Sequence, residues 1–313
     1  MAYQHLEAAR ALTLPSREAM LQRAQSVQQF WSGNQELLAN AWNEWEAAEQ
    51  VDGKSLNCSL LDAHLRKAVN AAWEDPSKEL DVKSLWQQVA PGVYTCQFFN
   101  PEQLGKLRAF LEKAWDAQIP LRPPYGIVLN RKGAMLDARS EGHLAAPSFQ
   151  QFYRELIDAY MRPIARLLFP EIIGYDSQSF GFSINYQPST DTSIRPHTDA
   201  SSVTLNINLN LPTESFSGSA VNFFDASTGH TNELMFTLGS AIIHRGSVPH
   251  AALPITSGER TNFVFWLFGK QGSLPNPKGD VQPVDSKARW SMPKALNDNV
   301  TTASFPQDSY APF

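Results

Sequence analysis

Apolar side chains recur at the spacing of an α-helix through the first ninety residues of the chain. Residues from about 3 to 90 are rich in Ala, Gln, Glu, Leu and Trp, and Leu38, Trp42 and Trp45 are three to four positions apart. Apolar positions at this period form one face of an amphipathic helix. The pattern predicts a helical N-terminal region over residues 1–90. We interpret its tryptophans as helix-packing residues: Trp42, Trp45, Trp73 and Trp86.

Two further helices are predicted beyond this region. Asn100 followed by Pro101 and Gln103 supplies an N-cap, a proline at the first helical position and a capping-box glutamine, so a helix should run to about Gln118. A second amphipathic pattern covers residues 148–169. We expect both helices to support the core that the remaining segments build.

From residue 91 onward the pattern changes to short β-type runs separated by turn residues. The predicted strands are residues 93–99, 125–130, 180–186, 203–210, 220–224, 233–238, 240–245 and 261–268. Eight short strands predict a mainly β core over residues 91–270, folded as a double-stranded β-helix (jelly roll) or as a barrel. Residues 271–313 are rich in Pro, Asp, Ser and Asn, and we expect a coil-rich tail packed on that core.

The composition of the sequence indicates which classes of binding partner and which cellular location to expect. The 313 residues carry a formal charge of −5 without a Lys/Arg-rich block, so nucleic acid is not an expected partner. No stretch approaches the roughly eighteen apolar residues of a membrane span, and the first thirty residues contain no apolar core of a signal peptide. We therefore expect a cytoplasmic protein. Two cysteines, Cys58 and Cys96, exclude a disulfide-rich framework and a four-cysteine zinc site.

The segment before the run 203–210 carries candidate metal ligands. His197 and Asp199 are two positions apart, and residues at i and i+2 of an extended segment project to the same side. His250, just before the last predicted strand, can supply a third ligand. Two histidines and one carboxylate leave coordination positions open, as in non-haem Fe(II) oxygenases. Arg260, ten residues after His250, can grip the distal carboxylate of a dicarboxylic acid.

Other polar residues compete for roles at this site. His244 is an alternative third ligand, although the ten-residue interval to Arg260 favours His250. His244 is then either a residue near the metal or substrate or a hydrogen-bonding residue of the core. Arg195 could contact an acidic substrate group or form a surface ion pair. His230 follows Gly229 in a turn-like stretch, and we expect it to be exposed.

The run 203–210 also predicts a polar face inside the β core. Thr204, Asn206 and Asn208 alternate with apolar residues, and polar groups that face a barrel interior need partners. A bound carboxylate or water would provide them, and a solvated edge strand is the alternative. Tyr186, at the end of the run 180–186, could point a phenol into the same interior or could serve packing alone.

These motifs resemble known enzymes. RPHTDASSVTLNINLN, with the upstream Tyr186, is similar to the catalytic domain of procollagen-lysine hydroxylases, and HRGSVPHAALPITSGERTNFVFW resembles the same prolyl/lysyl hydroxylase-like superfamily. The segments YGIVLNRKG and SGERTN are similar to 2-oxoglutarate- and iron-dependent oxygenase-domain proteins of animals and plants. The resemblance covers roughly residues 120–270 and implies Fe(II) held by His197, Asp199 and His250. It further implies a 2-oxoglutarate pocket formed by Arg260, Tyr186 and Asn206.

The resemblance implies an Fe(II)- and 2-oxoglutarate-dependent dioxygenase. Such an enzyme uses O2 to hydroxylate an unactivated C–H bond, here of a lysyl, prolyl or other amino-acid side chain, and releases succinate and CO2. The substrate could be a small molecule, a peptide or a protein. Two alternatives stay open at this point: a zinc-dependent hydrolase, which would use the same three ligands, and a non-catalytic jelly-roll binding or scaffold protein. The sequence gives no indication of oligomeric state.

Overall fold

The computed structural model describes residues 3–22, 24–50, 56–120, 146–189, 192–276 and 284–291. The strand predicted over residues 125–130 lies outside these ranges. Within them, none of the helices combines the length and the apolar character needed to cross a bilayer.

The described residues of the N-terminal region form helices up to residue 85, as predicted, with short connections between them. The helices, in chain order, are α1 (Gln4–Arg10), α2 (Arg17–Leu21), α3 (Gln25–Gly33), α4 (Gln35–Ala48), α5 (Ala63–Glu74), α6 (Glu79–Leu85), α7 (Leu104–Asp116), α8 (Pro147–Glu155), α9 (Arg162–Leu168) and α10 (Ser286–Arg289). Trp42, Trp45 and Trp86 are buried and Trp73 is half-buried, in agreement with packing roles. Residues 87–90, predicted as helical, instead form a strand paired with the next one.

The β core consists of two facing antiparallel sheets. The strands are β1 (Gln87–Ala90), β2 (Val93–Gln97), β3 (Gln178–Tyr186), β4 (Ile194–His197), β5 (Val203–Asn208), β6 (Ser217–Gly218), β7 (Val221–Phe224), β8 (Thr231–Leu234), β9 (Ser240–Arg245), β10 (His250–Ala252), β11 (Ile255–Ser257) and β12 (Arg260–Phe268). The larger sheet has the order β1-β2-β9-β5-β12-β3, the smaller one β4-β10-β7-β8, and β6 pairs with β11. This arrangement is the predicted double-stranded β-helix with supporting helices.

The strand alternation decides which residues meet the helices and which face the second sheet. On the outer face of the larger sheet, Phe263 and Phe265 of β12 contact Phe149 and Tyr153 of α8, with ring centroids 6.1 and 5.6 Å apart. The inner face packs on the smaller sheet through a cluster that includes Ile242 of β9 and Phe223 of β7. The inner face therefore forms the interior in which polar residues of β5 lie.

Several element boundaries differ from the sequence predictions. The helix expected from Pro101 begins at Leu104, because Asn100 closes a turn by accepting the Glu102 N–H at 2.9 Å. The helix predicted over 148–169 contains a π-helical segment, Leu156–Met161. The strand predicted over 233–238 lies earlier, at Thr231–Leu234, where it pairs with β7.

Residues 284–291 pack against the N-terminal helices. The ring of Trp290 is buried and lies edge-on to Trp73 at 5.6 Å, and its Nε1 donates to Oε2 of Glu79 at 3.1 Å. Arg289 forms an ion pair with the same carboxylate. Packing of the whole segment 271–313 stays a prediction.

Both cysteines are free. Burial raises the pKa of Cys58 far above its usual value and that of Cys96 to about 12. Reactive cysteines need an accessible thiolate, so neither thiol is suited to nucleophilic chemistry.

Candidate metal centre and co-substrate cleft

His197 and His250 are direct partners in the smaller sheet. His197 ends β4, His250 begins β10, and the two residues face each other in the antiparallel register. Their ring centroids are 4.3 Å apart. Asp199, in the loop after β4, completes a cluster in which one ligating atom from each residue lies within 4.8 Å of the others. These three residues could hold a metal ion.

The backbone anchors the Asp199 loop to the end of β9. The Asp199 N–H donates to the carbonyl of Gly246 at 2.9 Å, and the Gly246 N–H donates to Ser202 O at 3.2 Å. A Cβ at position 246 would lie only 1.9 Å from the carbonyl oxygen of Ser201. Glycine is therefore required here, since any side chain would push the carboxylate-bearing loop away from β9.

Backbone carbonyls orient both histidines of the cluster. Nδ1 of His197 lies 2.9 Å from Arg195 O, and Nδ1 of His250 lies 3.0 Å from Val248 O. A carbonyl can only accept, so each Nδ1 carries the proton and each Nε2 faces the cluster. The Nε2 atoms lie 3.5 and 3.7 Å from Oδ1 of Asp199. This pattern of support from carbonyls is common among metal-binding histidines.

The cluster keeps its carboxylate ionised. Burial by itself would raise the pKa of Asp199, but the hydrogen bond with His197 and the charges of His250 and His244 hold it at about 2. Burial opposes protonation of His197 as well, yet its interaction with Asp199 raises the pKa of His197. Burial lowers the pKa of His250. At neutral pH the site thus offers an anionic oxygen between two imidazoles, a donor set suited to a divalent cation.

His244 lies beside the cluster rather than in it. Its Nε2 is 3.8 Å from Oδ2 of Asp199, the carboxylate oxygen that accepts the Thr204 hydroxyl, and its Nδ1 lies 2.9 Å from Arg245 O. Its ring packs edge-on to His250 at 4.6 Å. Burial lowers the pKa of His244 to about 4, so the ring is neutral near pH 7. The geometry favours His250 as the third ligand.

A cleft extends from the cluster between the two sheets. It is lined by Phe182, Ile184, Tyr186, Ile194, His197, Asp199, Thr204, Asn206, Val221, His244, His250, Ala252, Val264 and Trp266. Most of these residues are apolar, which favours exclusion of water from the centre. Tyr186 and Asn206, both predicted at a co-substrate pocket, are on its wall.

Arg260 lies next to this wall and is completely buried. Its guanidinium stacks on the ring of Tyr186 at 4.2 Å and faces the ring of Phe236 at 5.1 Å. None of its three side-chain nitrogens has a hydrogen-bond partner among the described residues. Burial lowers the pKa of Arg260, and the neighbouring Tyr186 opposes that shift.

The orphaned guanidinium fits a carboxylate ligand. A buried charge without a partner costs several kcal/mol, whereas a carboxylate can satisfy a guanidinium through two parallel hydrogen bonds. The His–Asp–His cluster and Arg260 therefore fit Fe(II) and a dicarboxylic co-substrate, respectively.

The remaining candidates lie apart from the cleft. Arg195 and His230 are both exposed. The exposure of His230 was expected, and a role for Arg195 toward substrate stays a prediction. Sequence reasoning missed the support that Gly246 gives to Asp199, for which the only signal was the glycine following HR at the end of β9.

The fold and the cluster define a double-stranded β-helix domain with one candidate metal site. Residues 175–269 match the family model described as the 2OG-Fe(II) oxygenase superfamily. That segment contains strands β3 to β12 and every residue of the cluster. Residues 175–269 are therefore similar to a superfamily whose members use Fe(II), 2-oxoglutarate and O2.

Curated relatives carry matching names. The chain is 28% identical over 203 residues to the 2-oxoglutarate and iron-dependent oxygenase domain-containing protein ICU11 of Arabidopsis thaliana, covering 60% of this chain and 48% of that protein. It is 33% identical over 187 residues to the 2-oxoglutarate and iron-dependent oxygenase domain-containing protein 2 of Xenopus tropicalis, covering 56% of this chain and 48% of that protein. The chain thus spans about half the length of these relatives.

The chain is also similar to two proteins that are named as hydroxylases. The rat multifunctional procollagen lysine hydroxylase and glycosyltransferase LH3 is 25% identical over 206 residues, which are 60% of this chain and 25% of that protein. A crystal structure of a prolyl-4-hydroxylase from Pseudomonas putida aligns with a TM-score of 0.44 and 18% identity, over 66% of this chain and 99% of that chain.

Proposed function

We propose that the protein is an Fe(II)- and 2-oxoglutarate-dependent dioxygenase that hydroxylates an unactivated C–H bond of an amino-acid side chain. The observation that carries this proposal is the pairing of two features along one cleft. At one position are two imidazole Nε2 atoms and one carboxylate oxygen within 4.8 Å of one another. Beside the wall of the same cleft is a fully buried arginine whose side-chain nitrogens have no hydrogen-bond partner among the described residues.

His197, Asp199 and His250 would hold the iron, each with its orientation set by a neighbour. The carbonyls of Arg195 and Val248 direct the two Nε2 atoms inward, and Thr204 occupies Oδ2 of Asp199, which leaves Oδ1 for the metal. Three protein ligands leave positions for O2 and a chelating co-substrate.

Arg260 and Tyr186 would receive the distal carboxylate of 2-oxoglutarate. The guanidinium supplies the charge, and the phenol lines the cleft beside it. When bound, Fe(II) and 2-oxoglutarate activate O2, with release of succinate and CO2, for hydroxylation of the substrate. The apolar walls formed by residues such as Val264 and Trp266 limit access of water to this centre.

For the substrate we propose a lysyl, prolyl or similar aliphatic side chain, free or in a peptide. The support is the apolar lining of the cleft and the hydroxylase named among the relatives, which acts on lysine in procollagen by its printed name. Screening peptides and free amino acids by mass spectrometry for a gain of one oxygen atom tests this choice.

The reaction class is tested by anaerobic reconstitution with Fe(II) and 2-oxoglutarate. We expect a weak visible charge-transfer band before aeration and succinate after it. The His250→Ala variant should give neither, whereas the matched control His230→Ala, at an exposed histidine, should behave as wild type. Wild-type protein that forms neither the band nor succinate would overturn the proposal.

The same assay separates the alternative functions. Zn2+-dependent hydrolysis without 2-oxoglutarate would indicate a hydrolase. Asp199 is the only carboxylate among the described lining residues, so these residues offer no second carboxylate as a general base. Absence of metal binding would indicate a non-catalytic module.

A further inference from the structure

Four asparagines form a continuous hydrogen-bonded chain between the interior of the larger sheet and the cleft. Asn208 and Asn262 have no exposed surface and Asn210 is 1% exposed, whereas Asn206 lines the cleft. Neighbouring strands β5 and β12 supply three of them, with Asn208 directly opposite Asn262. Buried amides need partners, and this chain provides them.

Backbone groups fix the donor-to-acceptor direction of this row of asparagine hydrogen bonds at its buried end. The Thr261 N–H donates to the side-chain oxygen of Asn210 at 3.0 Å, and Nδ2 of Asn210 donates to the carbonyl of Glu259 at 2.7 Å. The Asn210 N–H donates to Oδ1 of Asn208 at 3.2 Å. A backbone N–H cannot accept and a carbonyl cannot donate, so the orientation of both side-chain amides is determined.

The orientation of Asn208 in turn determines the orientation of the asparagine amides nearer the cleft. Nδ2 of Asn208 donates to Oδ1 of Asn210 at 2.9 Å and to Oδ1 of Asn262 at 3.1 Å. Asn262 must then turn its Nδ2 toward Asn206, whose Oδ1 accepts at 2.7 Å. Because the Oδ1 of Asn206 is already bonded to Asn262, its NH2 group is the part of the amide available to the cleft. No described residue accepts a hydrogen bond from this NH2 group.

We infer that Asn262 is a positioning residue that makes Asn206 present an N–H donor, rather than a carbonyl oxygen, to the co-substrate. The inference rests on the proposed function. Ionised 2-oxoglutarate offers only acceptor oxygens, so the opposite orientation of Asn206 would place oxygen against oxygen. Asn262 has no contact with the cleft itself and acts through its hydrogen bond to Asn206.

Side-chain amide resonances of the wild-type protein test the inference directly. In protein loaded with Zn2+ as a diamagnetic substitute, 2-oxoglutarate should shift the 15N and 1H resonances of the Asn206 NH2 group and leave those of Asn208 and Asn210 nearly unchanged. Assignment uses the Asn206→Leu spectrum. Unshifted Asn206 resonances in protein that binds 2-oxoglutarate would overturn the inference.

A double-mutant cycle tests the role of Asn262. Asn262→Leu and Asn206→Leu should each raise the Kd for 2-oxoglutarate about tenfold, the value of one hydrogen bond to a charged ligand. The double variant should be no weaker than Asn206→Leu alone, because Asn262 acts through Asn206. Effects that multiply to about a hundredfold would show independent roles and contradict the inference.

Asn185→Leu is the matched control. Asn185 is a buried asparagine of β3 on the other face of the sheet. It bonds the side chains of Glu259 and Thr261, not the backbone groups that orient Asn210, so its replacement should leave the Kd unchanged. If Asn262→Leu does not fold, Asn208→Ala can replace it, because it removes the hydrogen bond that orients Asn262. Its effect on the Kd should likewise not add to that of Asn206→Leu. Wild-type protein that binds no 2-oxoglutarate would refute the proposed function, whereas normal binding with an unaffected Asn262 variant would refute only this inference.

Discussion

The hydroxyl of Thr204 donates to Oδ2 of Asp199 at 2.5 Å, and this contact gives the two oxygens of the carboxylate different tasks. Oδ2 accepts the hydrogen bond from Thr204 of β5, and Oδ1 is directed toward the Nε2 atoms of His197 and His250. Thr204 is fixed in turn by Ser201, whose hydroxyl lies 2.9 Å away. The orientation of the one anionic ligand thus depends on a neutral residue of the larger sheet.

Thr204→Val should therefore weaken metal binding by about tenfold or more, the usual effect of losing a hydrogen bond to a metal ligand. Valine keeps the shape but cannot hold Oδ2, so the carboxylate can rotate. Calorimetric titration of the metal-free protein with Mn2+ measures the change. Thr204→Ser keeps the hydroxyl and serves as the control; equal affinities for the Val and Ser variants would contradict the assigned contact.

His250→Ala should abolish Fe(II) binding, and His244→Ala should leave it largely intact. Nε2 of His250 faces Oδ1 of Asp199, while Nε2 of His244 faces the oxygen already bound by Thr204. Anaerobic Fe(II) titration of both variants checks the difference. The reverse order of affinities would make His244 the third ligand.

Arg260→Met should have opposite effects on two properties: it should stabilise the ligand-free protein and weaken binding of the co-substrate. Removing a buried charge whose nitrogens have no described hydrogen-bond partner should raise the Tm of the ligand-free protein. The same change should remove the stabilisation that 2-oxoglutarate gives to the metal-loaded protein. Differential scanning fluorimetry measures both effects. Arg154→Met, at an exposed arginine of α8, is the control and should change neither.

The free energy of unfolding of the metal-free protein should fall as the pH decreases from about 6.5 to about 4. Burial lowers the pKa of His244 to about 4. In this window the unfolded chain binds a proton that the folded chain does not, and the folded state loses up to about 3 kcal/mol. His250, with a lowered pKa, acts in the same direction. The raised pKa of His197 stabilises the folded state throughout this window and loses its effect only at higher pH.

Urea denaturation at a series of pH values measures the slope. In His244→Ala the slope between pH 6.5 and 4 should be smaller than in wild type, whatever the loss of stability caused by the cavity. His230→Ala, at an exposed histidine, should retain the wild-type slope. An unchanged slope in His244→Ala would mean that the buried ring is not the titrating group.

Trp290→Ala should cost about 3 kcal/mol of unfolding free energy, as expected for a large buried aromatic residue. The substitution removes the edge-on contact with Trp73 and one donor to the carboxylate of Glu79. Chemical denaturation measures the loss, and Lys287→Ala, an exposed residue of α10, should have little effect. A small loss in Trp290→Ala would argue against the proposed docking of the C-terminal tail.

The sequence alone was sufficient for the long and strongly patterned elements. The run 240–245 matches β9 at both ends, and the alternation in 203–208 correctly places Thr204, Asn206 and Asn208 on one face. Strands β4, β6, β10 and β11 were not predicted, because these segments of two to four residues contain no clear apolar run or alternation and form only where a partner strand lies alongside.

The sequence by itself determined the fold class and the kinds of side chain at the site, because the H-x-D spacing, the later histidine and the interval to Arg260 are local properties of the chain. Only the tertiary structure decided between His250 and His244, since that choice depends on which imidazole faces Oδ1 of Asp199 across two different sheets. It also decided which end of the Asn206 amide faces the cleft. That orientation is set by backbone groups more than fifty residues later in the chain, which no local pattern records.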